Sequence, residues 1–406
     1  MPSPPMFRML LLATLAMSAL NGSSAVADPP AAAAGKQQRR PAEFARIFNM
    51  GYVRPPLPAD AAAFDKLMQM VKAADYNVVL CPYTDERAEI CRKHGLKIFV
   101  DMLVAENHIF TNPDGAKALC QKLRASNDIY GYLLWTDNIG SRAAGRNRDI
   151  RNVHEWDDRH TAYVGTYRAY GLDQLENPDA IGYYDFHWSR GHQFRFLTQA
   201  MAAAAKSDAV FLCYLQGNVS EPGEGNRNFV RYTINTSIAA GMKGYLFHHN
   251  ETFLDAKEGK WLGVGSDVAS LNAQFAPLGP ELMKIGRPVT LYATPTIRDP
   301  GNKPKPLGIP DNLAGIPGDY WLKVDQGEAL LGFFKDKSGA DVVYIANLNA
   351  QAWQGMILSL AGDARKSKAW QFDRPTAKWL AFEPGESFSF PLSPGDAEMF
   401  KFEREK

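Results

Sequence analysis

Short apolar segments alternate with helical segments along the chain from Arg46 to about residue 295. The segments RIFNMGYV, YNVVLCPY, LKIFVDML and IYGYLLWTD are short and mainly apolar, which is typical of strands buried on both faces. Between the first two, apolar residues recur at helical spacing, as at Phe64, Leu67, Met68 and Val71. The same alternation continues through AIGYYDFHW, AVFLCYLQG, KGYLFHHN and RPVTLYAT. The pattern therefore predicts eight β-then-α units.

Eight such units over residues 45–295 have about the length expected of a (β/α)8 barrel. A doubly wound open sheet is the alternative, because it shows the same alternation of strands and helices. None of the predicted strands is followed by the Gly-rich turn that binds phosphate in open-sheet nucleotide proteins. This difference favours the α/β class with a TIM barrel.

The pattern changes after residue 295. Residues 296–318 are rich in Pro and Gly and predict a linker. From 319 to 406, short alternating segments are separated by turn residues, and no helical spacing interrupts them. This pattern predicts a small antiparallel β-sandwich as a second domain.

Two long polar segments follow predicted barrel strands. They are Ser141–His160, which is rich in arginine, and Gln216–Asn228. Loops of this length in compact domains are usually lids or binding loops, and both would lie at the C-terminal rim of the barrel. The arginines either face solvent or contact an anionic polysaccharide.

The N-terminus resembles an export signal. Arg8 precedes an apolar run that is too short to span a bilayer, and Ala25 and Ala27 form a small-residue cleavage pattern. We expect residues 1–27 to be a signal peptide and residues 28–44 a disordered leader. The protein is then secreted or periplasmic, without stable membrane insertion once the signal is removed.

Export permits disulfide bonds. Cys91 and Cys120 fall on consecutive predicted helices, where they either pair or, with Cys81 and Cys213, remain buried thiols.

Composition narrows the classes of partner. The 406 residues carry a formal net charge of +1, which favours neither nucleic acid nor an anionic membrane. Aromatic residues make up 11% of the chain, and amphipathic rings suit sugar faces as well as protein cores. The sequence contains no C-x-x-C pair, HExxH helix, G-x-S-x-G elbow or P-loop. We therefore expect no metal and no cofactor.

Two segments resemble a known group of proteins. IYGYLLWTDNI resembles the GY-x-L-x-DEP strand of uncharacterised secreted glycosidase-like barrels, and TINTSIAAGMKGYLFHH resembles their seventh strand. A barrel followed by a sandwich also resembles the large barrel clan of glycoside hydrolases. The resemblance implies an Asn-Glu pair that ends strand four and a nucleophilic Glu that ends strand seven. This chain instead has Thr136-Asp137-Asn138 at the first place, and Glu251 after two histidines at the second.

Glycoside hydrolysis needs two carboxyl groups, about 5 Å apart for retention or about 6.5–9.5 Å apart for inversion. We predict Asp137 as the acid and Glu251 as the nucleophile or base, with Asp185 as the next candidate. Asp137 has a competing interpretation as a loop-capping residue, because Asp side chains accept hydrogen bonds from nearby backbone amides.

Further polar and aromatic residues at predicted strand ends are candidates for sugar binding. They are Asp101, Trp135, Asn138, Tyr184, His187, Trp188 and His248. A structural interpretation stays open for Asp101, as a rim hydrogen-bonding residue, and for Asp185 with His187, as a pair joining two strands. The sequence predicts an exported glycoside hydrolase acting on a poly- or oligosaccharide. The alternative is a non-catalytic carbohydrate-binding barrel that has lost its acid/base residue.

Overall fold

The computed structural model describes residues 43–50, 58, 60–184, 193–216, 227–248, 253–255, 258–294 and 313–404. All of them fall within Arg39–Lys406, which forms one compact unit. The predicted signal peptide, most of the predicted leader and most of the predicted linker lie outside the described residues.

A parallel sheet of nine strand segments runs in chain order around a ring. The segments are β1 (Ala45–Asn49), β2 (Val78–Cys81), β3 (Lys97–Asp101), β4 (Ile129–Trp135), β5 (Thr161–Tyr167), β6 (Ala180–Tyr184), β7 (Val210–Phe211), β8 (Cys213–Gln216) and β9 (Gly244–His248). Strand β9 pairs with both β1 and β8, and β7 pairs with β6. Leu212 alone separates β7 from β8, and its amide donates to the carbonyl of Ile181 at 2.9 Å. The two segments therefore act as one interrupted strand, and the ring closes as an eight-stranded barrel.

Helices connect the strands. They are α1 (Ala61–Ala73), α2 (Asp85–Lys93), α3 (Pro113–Leu123), α4 (Ala143–Trp156), α5 (Gln193–Ser207), α6 (Arg227–Ala239), α7 (Val264–Phe275) and the short α8 (Gly279–Leu282). Side-chain caps fix several starts: Asp60 accepts the Ala63 amide of α1, and Thr84 accepts the Arg87 amide of α2. Within the described ranges, no helix has both the length and the apolar character needed to cross a membrane.

The C-terminal part forms two mainly antiparallel sheets. The larger contains β12 (Thr290–Ala293), β13 (Ala314–Gly315), β15 (Ala329–Lys335), β16 (Asp341–Asn347), β18 (Lys368–Asp373), β19 (Lys378–Phe382) and β21 (Ala397–Glu403). The smaller contains β14 (Leu322–Gln326), β17 (Gln354–Leu360) and β20 (Ser387–Leu392), and a hairpin of β10 (Leu254–Asp255) and β11 (Lys260–Trp261) lies apart from both sheets. The two sheets share a core that includes Leu331, Val343, Leu358 and Phe400. The predicted α/β barrel followed by a β-sandwich is confirmed.

Three local assignments differ from the sequence analysis. The segment RPVTLYAT forms β12, which pairs with β15 of the sandwich and not with the barrel. In its place, the barrel contains β5, between β4 and β6, a strand that the sequence analysis did not assign. Most of the polar segment 141–160 is helix α4 and not a loop. The sequence pattern did not indicate this helix, because polar Arg146 and Asp149 occupy buried positions where apolar residues usually mark a helix.

All four cysteines are buried free thiols, so Cys91 and Cys120 form no disulfide. The Cys91 sulfur lies 3.8 Å from the Met68 sulfur in the core. Burial raises the pKa of the Cys91, Cys120 and Cys213 thiols to about 12, which keeps them protonated and unreactive.

A buried polar network ties the N-terminal ends of β4 and β5 together. The Asp157 carboxylate accepts hydrogen bonds from the Tyr132 hydroxyl at 2.6 Å and the backbone amide of Arg159 at 2.8 Å, and it lies 2.7 Å from a ring nitrogen of His160. The other ring nitrogen of His160 lies 2.9 Å from the Ser126 carbonyl. Burial acts to raise the pKa of Asp157, but these hydrogen bonds outweigh it and bring the pKa to about 2. This end of the barrel serves stability.

Helix α6 joins the barrel to the sandwich. The Asn235 amide donates to the Gly395 carbonyl at 2.8 Å and accepts from the Tyr344 hydroxyl at 2.6 Å. Gly332 of β15 packs so closely on α6 that a Cβ there would clash with the Ala239 carbonyl oxygen. The two domains therefore share a tightly packed, hydrogen-bonded boundary.

The close packing at this boundary predicts that a side chain at Gly332 destabilises the fold. Gly332→Ala should lower the free energy of unfolding by about 1–3 kcal/mol, because the methyl group forces β15 away from α6. Urea denaturation followed by circular dichroism measures the change. Gly355→Ala is the control, since a Cβ there meets only the end of a flexible Gln326 side chain. Equal stability of the two variants would show that the boundary is loosely packed.

Candidate active site

Mainly apolar side chains fill the barrel interior, and polar side chains lie at the C-terminal ends of the strands. Inward-facing residues such as Ile47, Leu80, Phe99, Tyr163 and Leu246 form one cluster in this interior. Side chains on one face of a strand recur at every second residue, apart from bulges. The residues that continue this alternation at the strand ends include Asn49, Asp101, Tyr167 and Tyr184. They form the mouth of the barrel, which is the position that barrel enzymes use for catalysis.

Asp101 ends β3 and shares its inward face with Phe99. The residue is 1% exposed, and its carboxylate accepts the Leu103 amide at 2.9 Å. Burial raises the pKa of Asp101 to about 6, because loss of water disfavours the charged form more than this one hydrogen bond favours it. The sequence analysis treated Asp101 as a sugar-binding residue. The structure gives it the environment of a carboxyl group that stays protonated in mildly acidic solution.

Tyrosine rings line one side of the mouth. The ring centroids of Tyr167 and Tyr184 lie 5.5 Å apart, and those of Tyr184 and Tyr214 lie 5.8 Å apart. The Asn49 amide donates to the Tyr214 hydroxyl at 2.5 Å and to the Phe247 carbonyl at 2.9 Å. Tyr184, a predicted sugar-binding residue, thus belongs to an aromatic wall with a fixed polar edge.

Asp137 and Asn138 lie exposed on the loop after β4. The Asp137 carboxylate accepts the Asn138 amide at 2.6 Å, and its backbone carbonyl accepts the indole N–H of Trp135 at 2.6 Å. The side chain therefore makes the loop-capping contact that the sequence left open as an alternative. It also places a carboxylate at the rim, two residues beyond Trp135, which follows a bulge in β4 and packs against the core between the barrel and its helices.

Arg146 of α4 holds Trp135 in place. Its guanidinium lies over the Trp135 ring, 4.3 Å from the centroid, and over the Phe110 ring, 3.5 Å from the centroid. The Asp149 carboxylate, also buried, lies 3.3 Å from the same guanidinium. Burial lowers the pKa of Arg146 to about 10 and raises the pKa of Asp149 to about 6. Because one face of the indole already contacts Arg146, Trp135 has less surface for stacking on sugar than the sequence predicts.

Sequence reasoning placed Arg146 in a polar loop, which is wrong. Its spacing of three residues from Asp149 could have indicated a helix, because residues three apart lie on one helix face and can form an ion pair.

Several predicted site residues cannot be placed in the mouth. Asp185, His187, Trp188 and Glu251 lie outside the described residues, and the pairing of Asp137 with Glu251 stays a prediction. His248 ends β9, where its backbone pairs with Gln216 of β8. In the part of the chain that the structure describes, no three His, Cys, Asp or Glu side chains come together as a metal site.

Comparisons with known proteins agree with this architecture. No protein-family model matches the chain, and no curated protein matches it. Among solved structures, it is similar to a family 5 glycoside hydrolase from Bacteroides vulgatus, with a TM-score of 0.55 and 14% identity over 88% of this chain and 89% of that one. A second structure, described as a glycoside hydrolase, gives a TM-score of 0.54 and 12% identity over 89% and 93% of the two chains. The chain has the fold of these glycoside hydrolases. At such identities the similarity extends to the fold alone.

The burial of Asp101 predicts how the stability of the fold changes with pH. The pKa of Asp101 lies above its unfolded value of 3.8, so its contribution to stability is present below about pH 4 and is lost as the pH rises through about 6. Asp101→Asn removes a charge that is buried at higher pH and keeps an acceptor for the Leu103 amide. The variant should be more stable than wild type by about 2–3 kcal/mol at pH 8, and the difference should shrink toward pH 4.

Urea unfolding at both pH values measures this difference. Asp173→Asn, at an exposed position, is the matched control and should leave stability unchanged at each pH. Equal or lower stability of Asp101→Asn at pH 8 would show that the carboxyl is well solvated.

Proposed function

We propose that the protein is an exported glycoside hydrolase that cleaves a poly- or oligosaccharide at the mouth of its barrel. The observation that carries the proposal is the buried Asp101 carboxyl with a pKa of about 6, which lies in the same mouth as Tyr167 and Tyr184. Cleavage of a glycosidic bond needs a protonated carboxyl group to donate to the leaving oxygen. Aromatic walls with polar edges suit the faces and hydroxyls of sugar rings.

The environment of Asp101 supports it as the acid in preference to Asp137. A general acid must remain protonated at the working pH, and burial provides this for Asp101. Asp137 is exposed, and its carboxylate accepts its neighbour's amide. Glu251 remains our candidate for the nucleophile or base and Asp185 the next candidate, on the evidence of the sequence. Asp137 and Asn138 then bind sugar hydroxyls at the rim.

Substrate assays on purified protein test the reaction. The wild type should release reducing ends from at least one member of a panel of polysaccharides, with activity falling above about pH 6 as Asp101 loses its proton. Asp101→Asn and Glu251→Gln should each lower kcat by about 10²-fold or more. Asp137→Asn should have a smaller effect, and Asp173→Asn should have none.

Two outcomes contradict the assignment. Hydrolysis that survives Asp101→Asn and Glu251→Gln unchanged removes both residues from the mechanism. Binding of a polysaccharide without any hydrolysis by the wild type would identify the protein as a carbohydrate-binding barrel.

Export is supported by the N-terminal sequence. Arg8, the apolar run that follows it, and the Ala25 and Ala27 pattern are the features that a signal peptidase needs. Expression with an intact N-terminus in a bacterial host should yield a protein outside the cytoplasm that begins at Asp28. Mass spectrometry of the purified protein measures its first residue, and retention of Met1 in the cytoplasm would contradict export.

A further inference from the structure

Arg146 lies between two aromatic rings that belong to different connections at the C-terminal rim of the barrel. Phe110 comes from the connection between β3 and α3, and Trp135 is the last residue of β4. The central carbon of the guanidinium lies 3.5 Å from the Phe110 ring centroid and 4.3 Å from that of Trp135, and the two centroids lie 5.4 Å apart. We call these three side chains the rim clamp.

Trp135 connects the rim clamp to the loop after β4. Its indole N–H donates to the Asp137 carbonyl at 2.6 Å, and the Asp137 carboxylate accepts the Asn138 amide at 2.6 Å. A different rotamer of Trp135 would break the first of these bonds. The orientation of Asp137 and Asn138, to which we assign contacts with sugar hydroxyls, therefore depends on what holds the indole.

Phe110 connects the rim clamp to the surroundings of the buried acid. Its neighbour Ile109 is buried and donates its amide to the Met102 carbonyl at 3.0 Å. Met102 directly follows Asp101, whose carboxylate accepts the Leu103 amide. The connection thus folds back onto the end of β3, and Phe110 fixes it against helix α4. The rim clamp therefore joins the segment around the acid to the loop after β4.

The stability of the fold alone does not explain a charged residue at this position. The Arg146 side chain is 9% exposed and that of Asp149 is 1% exposed. Within the described residues, Nε and Nη1 of Arg146 and both carboxylate oxygens of Asp149 make no hydrogen bond. A buried ion pair with incomplete hydrogen bonding is often no more stabilising than apolar residues of similar volume. A guanidinium differs from an apolar side chain in its attraction to the faces of both rings, which favours one arrangement of the rim clamp.

We propose that Arg146 is a positioning residue that holds the segment around Asp101 and the loop that carries Asp137 at the separation a sugar ring needs to contact both. It acts through Phe110 and Trp135, because its own guanidinium is buried between the two rings. The inference rests on the proposed function in one respect, the carbohydrate nature of the ligand. It assigns to Arg146 a part in substrate binding and none in bond cleavage.

A double variant, Arg146→Met with Asp149→Leu, tests this role without leaving a buried charge unpaired. Its free energy of unfolding in urea should equal or exceed that of the wild type. Amide hydrogen exchange followed by mass spectrometry should be about tenfold faster in residues 102–112 and 136–142, because the two rings lose their common contact. Exchange elsewhere should be unchanged.

Two further variants calibrate this result. Arg146→Lys keeps the charge but not the planar face, so its exchange rates should fall between those of the wild type and the double variant. Arg151→Met with Glu176→Leu is the matched control, because it removes an ion pair of the same helix whose side chains are 60% and 62% exposed. This control should leave exchange in both segments unchanged.

Kinetics on soluble xyloglucan, galactomannan, arabinoxylan and dextran measure the effect on substrate. On a polymer that the wild type cleaves, the double variant should raise KM about tenfold, with less than about a threefold change in kcat. Asn138→Ala should also raise KM, but it should add no more than about twofold in the double variant, since the loop is already misplaced there. The Arg151 and Glu176 control should change neither constant.

The outcomes separate the positioning role from the hydrolase. Unaltered exchange in the two segments, faster exchange with KM unchanged, or a lower free energy of unfolding in the double variant would each overturn the positioning role and leave hydrolysis standing. If the wild type binds a polymer without cleaving it, the dissociation constant from calorimetry takes the place of KM. A tenfold increase in the double variant then supports the positioning role and overturns the hydrolase. A wild type that neither binds nor cleaves any of the four polymers overturns both.

Discussion

The hydrogen bonding of β9 to both β1 and β8 is the constraint on which the structure depends, because it closes the sheet into a ring without free edges. Closure requires close approach of neighbouring strands. At Gly131, Gly182 and Gly244, a side chain would collide with the backbone of the adjacent strand. A closed ring of parallel strands brings all their C-terminal ends together. Asp101 and Tyr184, far apart in sequence, share one mouth for this reason.

The mouth and the first turns of the adjoining helix α4 hold buried groups that lower the stability of the fold. Burying the Asp101 carboxyl raises its pKa, and burying Arg146 with Asp149 shifts both of theirs toward the uncharged forms. At the opposite end of the barrel, Asp157 is equally buried but has enough donors to keep its charge. The pKa of the buried carboxyl group is therefore raised at the mouth and lowered at the opposite end.

Local pattern predicted most of the elements, and contacts distant in sequence explain the failures. Helical spacing such as that of Phe64, Leu67 and Met68 marked helices correctly, and short apolar runs marked strands. The strand Thr290–Ala293 was recognised but placed in the barrel, because strand propensity does not specify a pairing partner. Polar residues that pair in the interior hid helix α4. The raised pKa of Asp101 could not be predicted from the sequence either, since it follows from burial and not from neighbouring residues in the chain.

Helix α6 belongs to both domains, and this limits how they can move. Its Asn235 and Arg231 donate to the carbonyls of Gly395 and Pro394, so rotation of the sandwich would expose or break buried hydrogen bonds. The same helix connects β8 to β9, two strands of the closed ring. The sandwich therefore keeps one orientation relative to the barrel, and its attachment and the closure of the ring depend on the same helix.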